Sequence, residues 1–251
     1  MIVELYDRLR KVIQKRGWKG TLKLIGWKIG YFNKYWFSPT QYRERRLDRE
    51  YDFKFGVDTD GILDLRELGV DSPNIAHATW YEQTKPAAFD ELMKHLRVRF
   101  QDFTFIDFGS GKGRAVFLAS EYPFRKIIGV EFARPLHEIA EQNLAYYYSP
   151  TQKCETIELY CQDVTDFTIP PEPSVYYFYN PFDAEVMRKV LENITQSLRI
   201  TPRPVFILYC NSRLRELMQQ YGFIEIASSV WYSVLRNDLP TSSKIQVVQS
   251  R

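Results

Sequence analysis

Between Phe105 and Ser120 the sequence reads FIDFGSGKGRAVFLAS: an apolar run carrying Asp107, glycines at 109, 111 and 113, then a helix-like segment. A glycine turn between a strand and a helix lets an adenosine-bearing ligand come close to the backbone. Two ligand classes compete for such a turn. A dinucleotide needs G-x-G-x-x-G, so that its pyrophosphate meets the backbone at the helix N-terminus. Here the third glycine comes one residue early and Arg114 stands where the dinucleotide spacing needs it. Asp107 adds an argument from charge. A carboxylate repels a pyrophosphate but attracts a ligand with an ammonium and a sulfonium group. S-adenosylmethionine is such a ligand, and the turn predicts it as the cofactor. A side chain at Gly111 is expected to fill the space its methionine end needs.

The acid followed by G-x-G-x-G, with the order of elements over residues 80–236, resembles the seven-strand (class I) S-adenosylmethionine-dependent methyltransferases. The resemblance implies an α/β fold with a doubly wound, mostly parallel seven-stranded sheet, and methyl transfer to a nitrogen or oxygen acceptor. It assigns the cofactor turn to Asp107, Gly109, Ser110, Gly111 and Gly113. Glu131, ending IIGVE, would accept from the ribose hydroxyls, and Phe132 would pack on the adenine. A dehydrogenase also places an acid near this point, so Glu131 alone does not discriminate. Asp163 in YCQDVTDF, with Gln162 beside it, would meet the adenine edge; Asp166 is the alternative, and a turn or cap role the plainer account. Tyr81 and Thr84 in WYEQTKPAAF match a Tyr-x-x-Thr-like segment that closes over the cofactor, although Thr84 is equally explained as a helix cap.

Asn180-Pro181-Phe182, in YYFYNPF, falls where some amino-methylating families carry Asn-Pro-Pro-Tyr, and the resemblance makes these three the catalytic residues. The motif here is one residue shorter. Asn180 would receive substrate N–H groups, contact the methionine end of the cofactor, or simply break the strand. His77, His137, Tyr179 and Asp183 are available as a general base, but none sits in a diagnostic spacing and none is assigned. The acceptor is left open among protein lysine, small metabolite, glycan-related and RNA substrates. Two other functions compete: an NAD(P)-dependent oxidoreductase, disfavoured by Asp107 and Arg114, and a non-catalytic module that binds S-adenosylmethionine.

These residues need a scaffold. Alternating apolar runs predict strands at 103–108, 126–131, 156–161, 174–179 and 204–210, with helices near 112–120, 135–147, 184–198 and 212–221. That alternation argues for a parallel sheet covered on both faces. Two short strands, 223–227 and 230–235, suggest a closing antiparallel hairpin. TKPAAFDELMKHLRV reads as a helix with Thr84 as N-cap and Pro86 in its first turn.

Residues 1–50 carry 13 Lys and Arg against 5 Asp and Glu, so a basic arm precedes a mildly acidic body. Apolar residues from Ile2 to Ile13 and from Leu22 to Trp36 recur at helical spacing, and three of the five tryptophans lie in the first 36 residues. Docking on the body is one account of the arm; contact of residues 1–38 with a membrane surface is the other. QYRERRLDREYD and GVDTDG follow, the first a solvated helix face and the pair a linker to a methyltransferase domain over 59–238, with a tail at 239–251. Nucleic acid is not expected as a partner, for no RNA-binding aromatic motif accompanies the RERR run. Three widely spaced cysteines and no C-x-x-C pair predict a reducing, cytoplasmic setting and no metal site. Oligomeric state is left open.

Overall fold

The computed structural model describes residues 39–238, apart from 66, 67, 69, 71 and 72. The expectations for residues 1–38 and for the tail at 239–251 therefore lie outside the described residues. Two compact units divide the chain, Met1–Tyr51 and Asp52–Arg251. The boundary falls seven residues earlier than the expected end of the linker at 58, so residues 52–58 belong to the unit that holds the sheet. The charged run of the linker forms helix α1, Pro39–Phe55. Among the described residues, no helix is long and apolar enough to cross a membrane.

Seven strands build the main sheet: β3 (Thr104–Phe108), β4 (Lys126–Glu131), β5 (Ile157–Cys161), β6 (Ser174–Tyr179), β7 (Val205–Cys210), β8 (Phe223–Ser228) and β9 (Tyr232–Asn237). Their spatial order is β5-β4-β3-β6-β7-β9-β8. The first five are parallel, whereas β9 runs antiparallel between β7 and β8. Every residue of β3 is buried. Burial on both faces explains why β3, β6 and β7 read as almost unbroken apolar and aromatic runs rather than alternating ones. A smaller antiparallel pair, β1 (Ile62–Asp64) with β2 (Trp80–Glu82), lies ahead of the sheet and was not expected from the sequence.

The helices α2 (Pro86–Met93), α3 (Arg114–Ser120), α4 (Arg134–Tyr146), α5 (Ala184–Ile200) and α6 (Arg215–Gln220) alternate with the strands. Most boundaries agree with the sequence reading to within two residues. The larger differences are the end of α2, at Met93 rather than 98, and the start of α6, at Arg215 rather than 212; smaller ones have local causes. Helix α3 starts at Arg114, because Gly113 at φ 92° occupies the N-cap. At α2 the N-cap position is Lys85 with no side-chain bond, and Thr84 instead shares a hydrogen bond of 2.9 Å with Tyr177 Oη. Thr84 is therefore a wall residue and not a cap. The last strand begins at Tyr232 because Ser229–Trp231 make the turn, where Ser229 Oγ accepts from the Trp231 N–H.

Helix α5 shows how one face holds the sheet. Asp183 Oδ1 accepts from the Glu185 N–H at 2.9 Å and caps its start, and Val186, Met187, Val190, Leu191 and Ile194 form the buried stripe. These side chains join Ile106, Phe108, Tyr176, Phe178 and Ile207 in one core, in which Phe108 stacks on Phe178 at 5.2 Å. Because Leu191 is fully buried, Leu191→Ala should lower unfolding stability by about 2–5 kcal/mol. Urea denaturation with an unchanged m-value would record it.

Candidate active site

Strand order reverses at β3, whose neighbours β4 and β6 lead to opposite sides of the sheet. Loops leaving the two carboxyl ends diverge there and open a crevice, which is where open α/β sheets take their ligands. The cleft at this point encloses about 780 Å³ of non-atom space, part of it open solvent. It is walled by Asp107, Gly109 and Ser110 from the glycine turn and by Glu131 and Phe132 after β4. Asp163 follows β5, Tyr179, Pro181 and Phe182 close β6, and Trp80, Tyr81 and Thr84 come from the segment ahead of the sheet.

Ten of the expected site residues are thus brought together. Four are placed elsewhere. Gly111 and Gly113 lie behind the cleft wall and shape the turn. Gln162 bonds the Asp166 carbonyl through Nε2 at 2.9 Å and does not line the cleft. Asn180 sits at φ 43°, the left-handed region that Asn tolerates. Its Oδ1 accepts from Tyr209 Oη at 3.1 Å and its carbonyl accepts from Thr79 Oγ1 at 2.6 Å, and it is likewise outside the lining. The amide oxygen expected to meet substrate is instead engaged in shaping the turn, and Pro181 and Phe182 are the members of that motif that face the cleft.

The glycine turn is packed from two sides. A Cβ on Gly109 would stand 2.6 Å from the Cβ of Pro181, so the turn and the Asn-Pro-Phe motif meet in direct contact. At Gly111, φ is 53° and the ring of Tyr81 covers the position a Cβ would occupy. The space reserved in the sequence reading for a methionine moiety is therefore filled by Tyr81, and this revises the reason Gly111 must be glycine. Tyr81 is itself fixed, because its hydroxyl donates to the Thr59 carbonyl at 2.6 Å.

The two acids differ in their surroundings. Glu131 Oε2 accepts from the Gly111 N–H at 2.9 Å and Oε1 from the Ala133 N–H at 2.8 Å. Burial pushes its carboxyl up to about 7, against the opposing pull of the Ala133, Gly111 and Phe132 backbone donors. Asp107 is 3% exposed, and its carboxylate makes no hydrogen bond or ion pair among the described residues. Burial, and next the nearby Glu131, raise its carboxyl well above the usual range. A buried carboxyl facing a cleft whose lining cation, Arg114, is already paired with Asp52 is a receptor for a positive ligand.

A second network was not foreseen. Arg114, 2% exposed, donates through Nη2 to Asp52 Oδ1 at 2.9 Å and through Nε to Thr59 Oγ1. Asp52 Oδ2 also accepts from the Thr59 and Asp60 N–H groups. Lys112 Nζ donates to Asp58 Oδ1 at 2.8 Å and to the Asp60 carbonyl at 2.9 Å. Asn143 on α4 bridges the same strap, accepting from the Asp58 N–H and donating to the carbonyls of Asp58 and Lys112. The signal available in the sequence was complementary charge, with acids at 52, 58 and 60 against the two cations inside the glycine motif.

The sequence matches the family Histone methylation protein DOT1 over residues 74–163, just over a third of the chain, from the segment ahead of the sheet to Asp163. Solved structures with a similar fold include the 23S rRNA methyltransferase ErmE, at 13% identity and TM-score 0.44, covering 63% of this chain and 70% of that protein. The ribosomal protein L11 methylase of Lactobacillus delbrueckii subsp. bulgaricus has 14% identity and TM-score 0.45, with coverages of 66% and 83%. A "predicted N6-adenine-specific DNA methylase" of Listeria monocytogenes has 17% identity and TM-score 0.46, with coverages of 70% and 55%. No curated protein matches the sequence significantly.

Two outcomes follow from this geometry. The Glu131 carboxyl in the fold lies above its ordinary value, so its contribution to stability is complete below about 4.5 and is lost as pH rises through about 7. Urea denaturation across that window should show the ligand-free protein losing stability with rising pH, with a shallower dependence in Glu131→Gln. Gly111→Val should displace Tyr81, lowering the melting temperature and breaking cofactor affinity by at least about tenfold, or about 1.4 kcal/mol, in calorimetric titration.

Proposed function

We propose that the cleft binds S-adenosylmethionine and that the chain transfers its methyl group to a nucleophilic nitrogen, with a protein lysine amine as the acceptor class. The observation that carries the cofactor assignment is Asp107, a buried carboxyl lining the cleft with no hydrogen-bonded partner among the described residues. The methionine end of the cofactor supplies the missing positive charge. Glu131 retains lone pairs for the ribose hydroxyls beyond those that hold the Gly111 and Ala133 N–H groups. Phe132 offers an aromatic face to the adenine. Asp163 is steadied by Asn74 Nδ2 at 2.8 Å and by the Thr165 N–H at 2.9 Å, and so holds its place at the adenine edge.

The bound cofactor supplies an electrophilic methyl on sulfur. Displacement at that carbon disperses charge, so the protein's part is alignment and exclusion of water. Tyr81, Pro181 and Phe182 close the cleft with apolar surface. Trp80, 57% exposed, stands at its outer edge. Walls of Trp80, Tyr179 and Phe182 suit an aliphatic amine side chain, and the match to a histone-methylation family supports the same class. An oxidoreductase reading fails on the absent third glycine at position 114 and on the charge of Asp107.

Calorimetric titration tests the cofactor. Micromolar binding of S-adenosylmethionine and S-adenosylhomocysteine, with none of NAD⁺ or NADPH, is expected; dinucleotide binding would overturn the assignment. Asp107→Asn should weaken S-adenosylmethionine by at least about tenfold yet leave methylthioadenosine, which lacks the amino-acid end, little changed. Transfer of labelled methyl to protein in lysate separates an enzyme from a module that only binds.

A further inference from the structure

Four acids line the cleft, Glu82, Asp107, Glu131 and Asp163; among the described residues, the one cation that joins them is Arg114. Arg114 is part of the glycine turn, following Gly113 directly as the first residue of α3. A guanidinium carries its positive charge at any working pH. Left uncovered in this wall it would repel the ammonium and sulfonium groups of S-adenosylmethionine, and it would suit the phosphates of a dinucleotide instead.

Asp52, near the end of α1, decides how much of that charge the cleft feels. The Arg114 side chain is 2% exposed and that of Asp52 12%, so solvent screens the pair little. Asp52 Oδ1 accepts from Arg114 Nη2 at 2.9 Å and from Thr59 Oγ1 at 2.6 Å. Its Oδ2 accepts from the Thr59 N–H at 2.8 Å and the Asp60 N–H at 2.7 Å. Four donors thus fix the carboxylate in place. Thr59 Oγ1 also accepts from Arg114 Nε, so the guanidinium is gripped at two of its nitrogens. The charges of this group reach the cleft wall. Tyr81, which lines the cleft, has its hydroxyl raised well above the usual phenol value, chiefly by burial; Arg114 opposes that rise and Asp52 adds to it.

We propose that Asp52 is a positioning residue for the cofactor site: by orienting and neutralising Arg114, it sets the balance between S-adenosylmethionine and its product S-adenosylhomocysteine. The proposal rests on the cofactor reading above. The two ligands share the adenosine, the ammonium and the carboxylate. They differ by the methyl group and by one positive charge on sulfur. With Arg114 masked, the acids of the lining attract the sulfonium form and lose part of their hold once transfer has left a thioether. Unmasking Arg114 offsets that attraction, and the penalty falls on the charged ligand.

Calorimetric titration of the full chain with both ligands, at one pH and ionic strength, gives the ratio of their dissociation constants. Failure of the unaltered chain to bind either ligand overturns the cofactor reading and this proposal with it. Asp52→Asn removes the charge and keeps an acceptor for the Thr59 and Asp60 donors. A unit charge about 10 Å away, at an effective dielectric of about 20, changes an affinity roughly tenfold before salt screens it. Asp52→Asn should therefore weaken S-adenosylmethionine at least about threefold more than S-adenosylhomocysteine. An unchanged ratio, with both ligands bound, overturns the proposal alone. Thr59→Val breaks the same network without altering charge and should hold the ratio within about twofold; a shift as large as that of Asp52→Asn would tie the ratio to damage in the strap and overturn the proposal. Adding Arg114→Gln to Asp52→Asn removes the unmasked cation and should return the ratio to that of the unaltered chain. This double variant also decides the case in which the single one binds neither ligand: recovery of binding supports the proposal, and continued loss overturns it.

Discussion

The site is organised around the carboxylate of Glu131, which ties the end of β4 to the turn after β3. One oxygen holds the Gly111 N–H and the other the Ala133 N–H, so a single side chain fixes both the glycine turn and the start of α4. A left-handed residue at 111 turns its N–H toward that acid, and the turn in turn leaves room for the ring of Tyr81. Remove the carboxylate and two buried donors lose their acceptor, each at about 1–3 kcal/mol. The same burial that makes these bonds strong also raises the carboxyl to about 7, which leaves the site short of positive charge. Asp107 shares that condition. A cleft arranged in this way does not complete its own electrostatics; the ligand does.

Around this pair the chain adds a brace of the opposite kind. Arg114 with Asp52, and Lys112 with Asp58, are charges that the fold neutralises internally. A buried pair such as Arg114–Asp52 gains little net stability, because desolvation offsets much of the attraction, yet losing one partner is costly. Its consequence is positional. The cations belong to the glycine motif and the acids to the strap from 52 to 60, so the strap cannot leave without uncovering charge, and Thr59 brings with it the carbonyl that holds Tyr81. Cations satisfied by the strap stand beside acids left open to the cleft, and that division directs a positive ligand to Asp107 and Glu131 rather than to the solvent-side acids.

The parallel strands could be read directly because burial on both faces writes continuous apolar runs, and the turn because only glycine serves at positive φ against Tyr81 and Pro181. The strap and the β1–β2 pair could not. Their residues, DTDG and the polar segments around Trp80, have the composition of a linker, and what orders them is charge and hydrogen bonding between residues 16 to 85 positions apart, for which periodicity carries no trace. The cap role offered for Thr84 and the substrate contact offered for Asn180 failed for a related reason. Each has a good local role, as cap or as substrate contact, but a distant hydroxyl claims it: Tyr177 for the first, Tyr209 for the second. Both tyrosines stand in strands where their rings look like ordinary core.

His77 and Asp183 show the same limit. Neither lies in a spacing that suggests contact, and each has a plain local account, one in a short turn and the other as the cap of α5. Only the pairing of 77–79 with 181–183 makes them neighbours, His77 Nδ1 lying 2.8 Å from Asp183 Oδ2. That pairing depends on Asn180, whose left-handed backbone reverses the chain as it leaves β6 and whose carbonyl anchors Thr79. Asn180 therefore acts on the acceptor side of the cleft through what it holds in place, while Pro181 and Phe182 form the surface. A motif that keeps the Asn, one Pro and the aromatic of an amino-methylating pattern need not use its Asn as that pattern does; here the amide maintains the bend, and the bend sets Pro181 and Phe182 against the cleft.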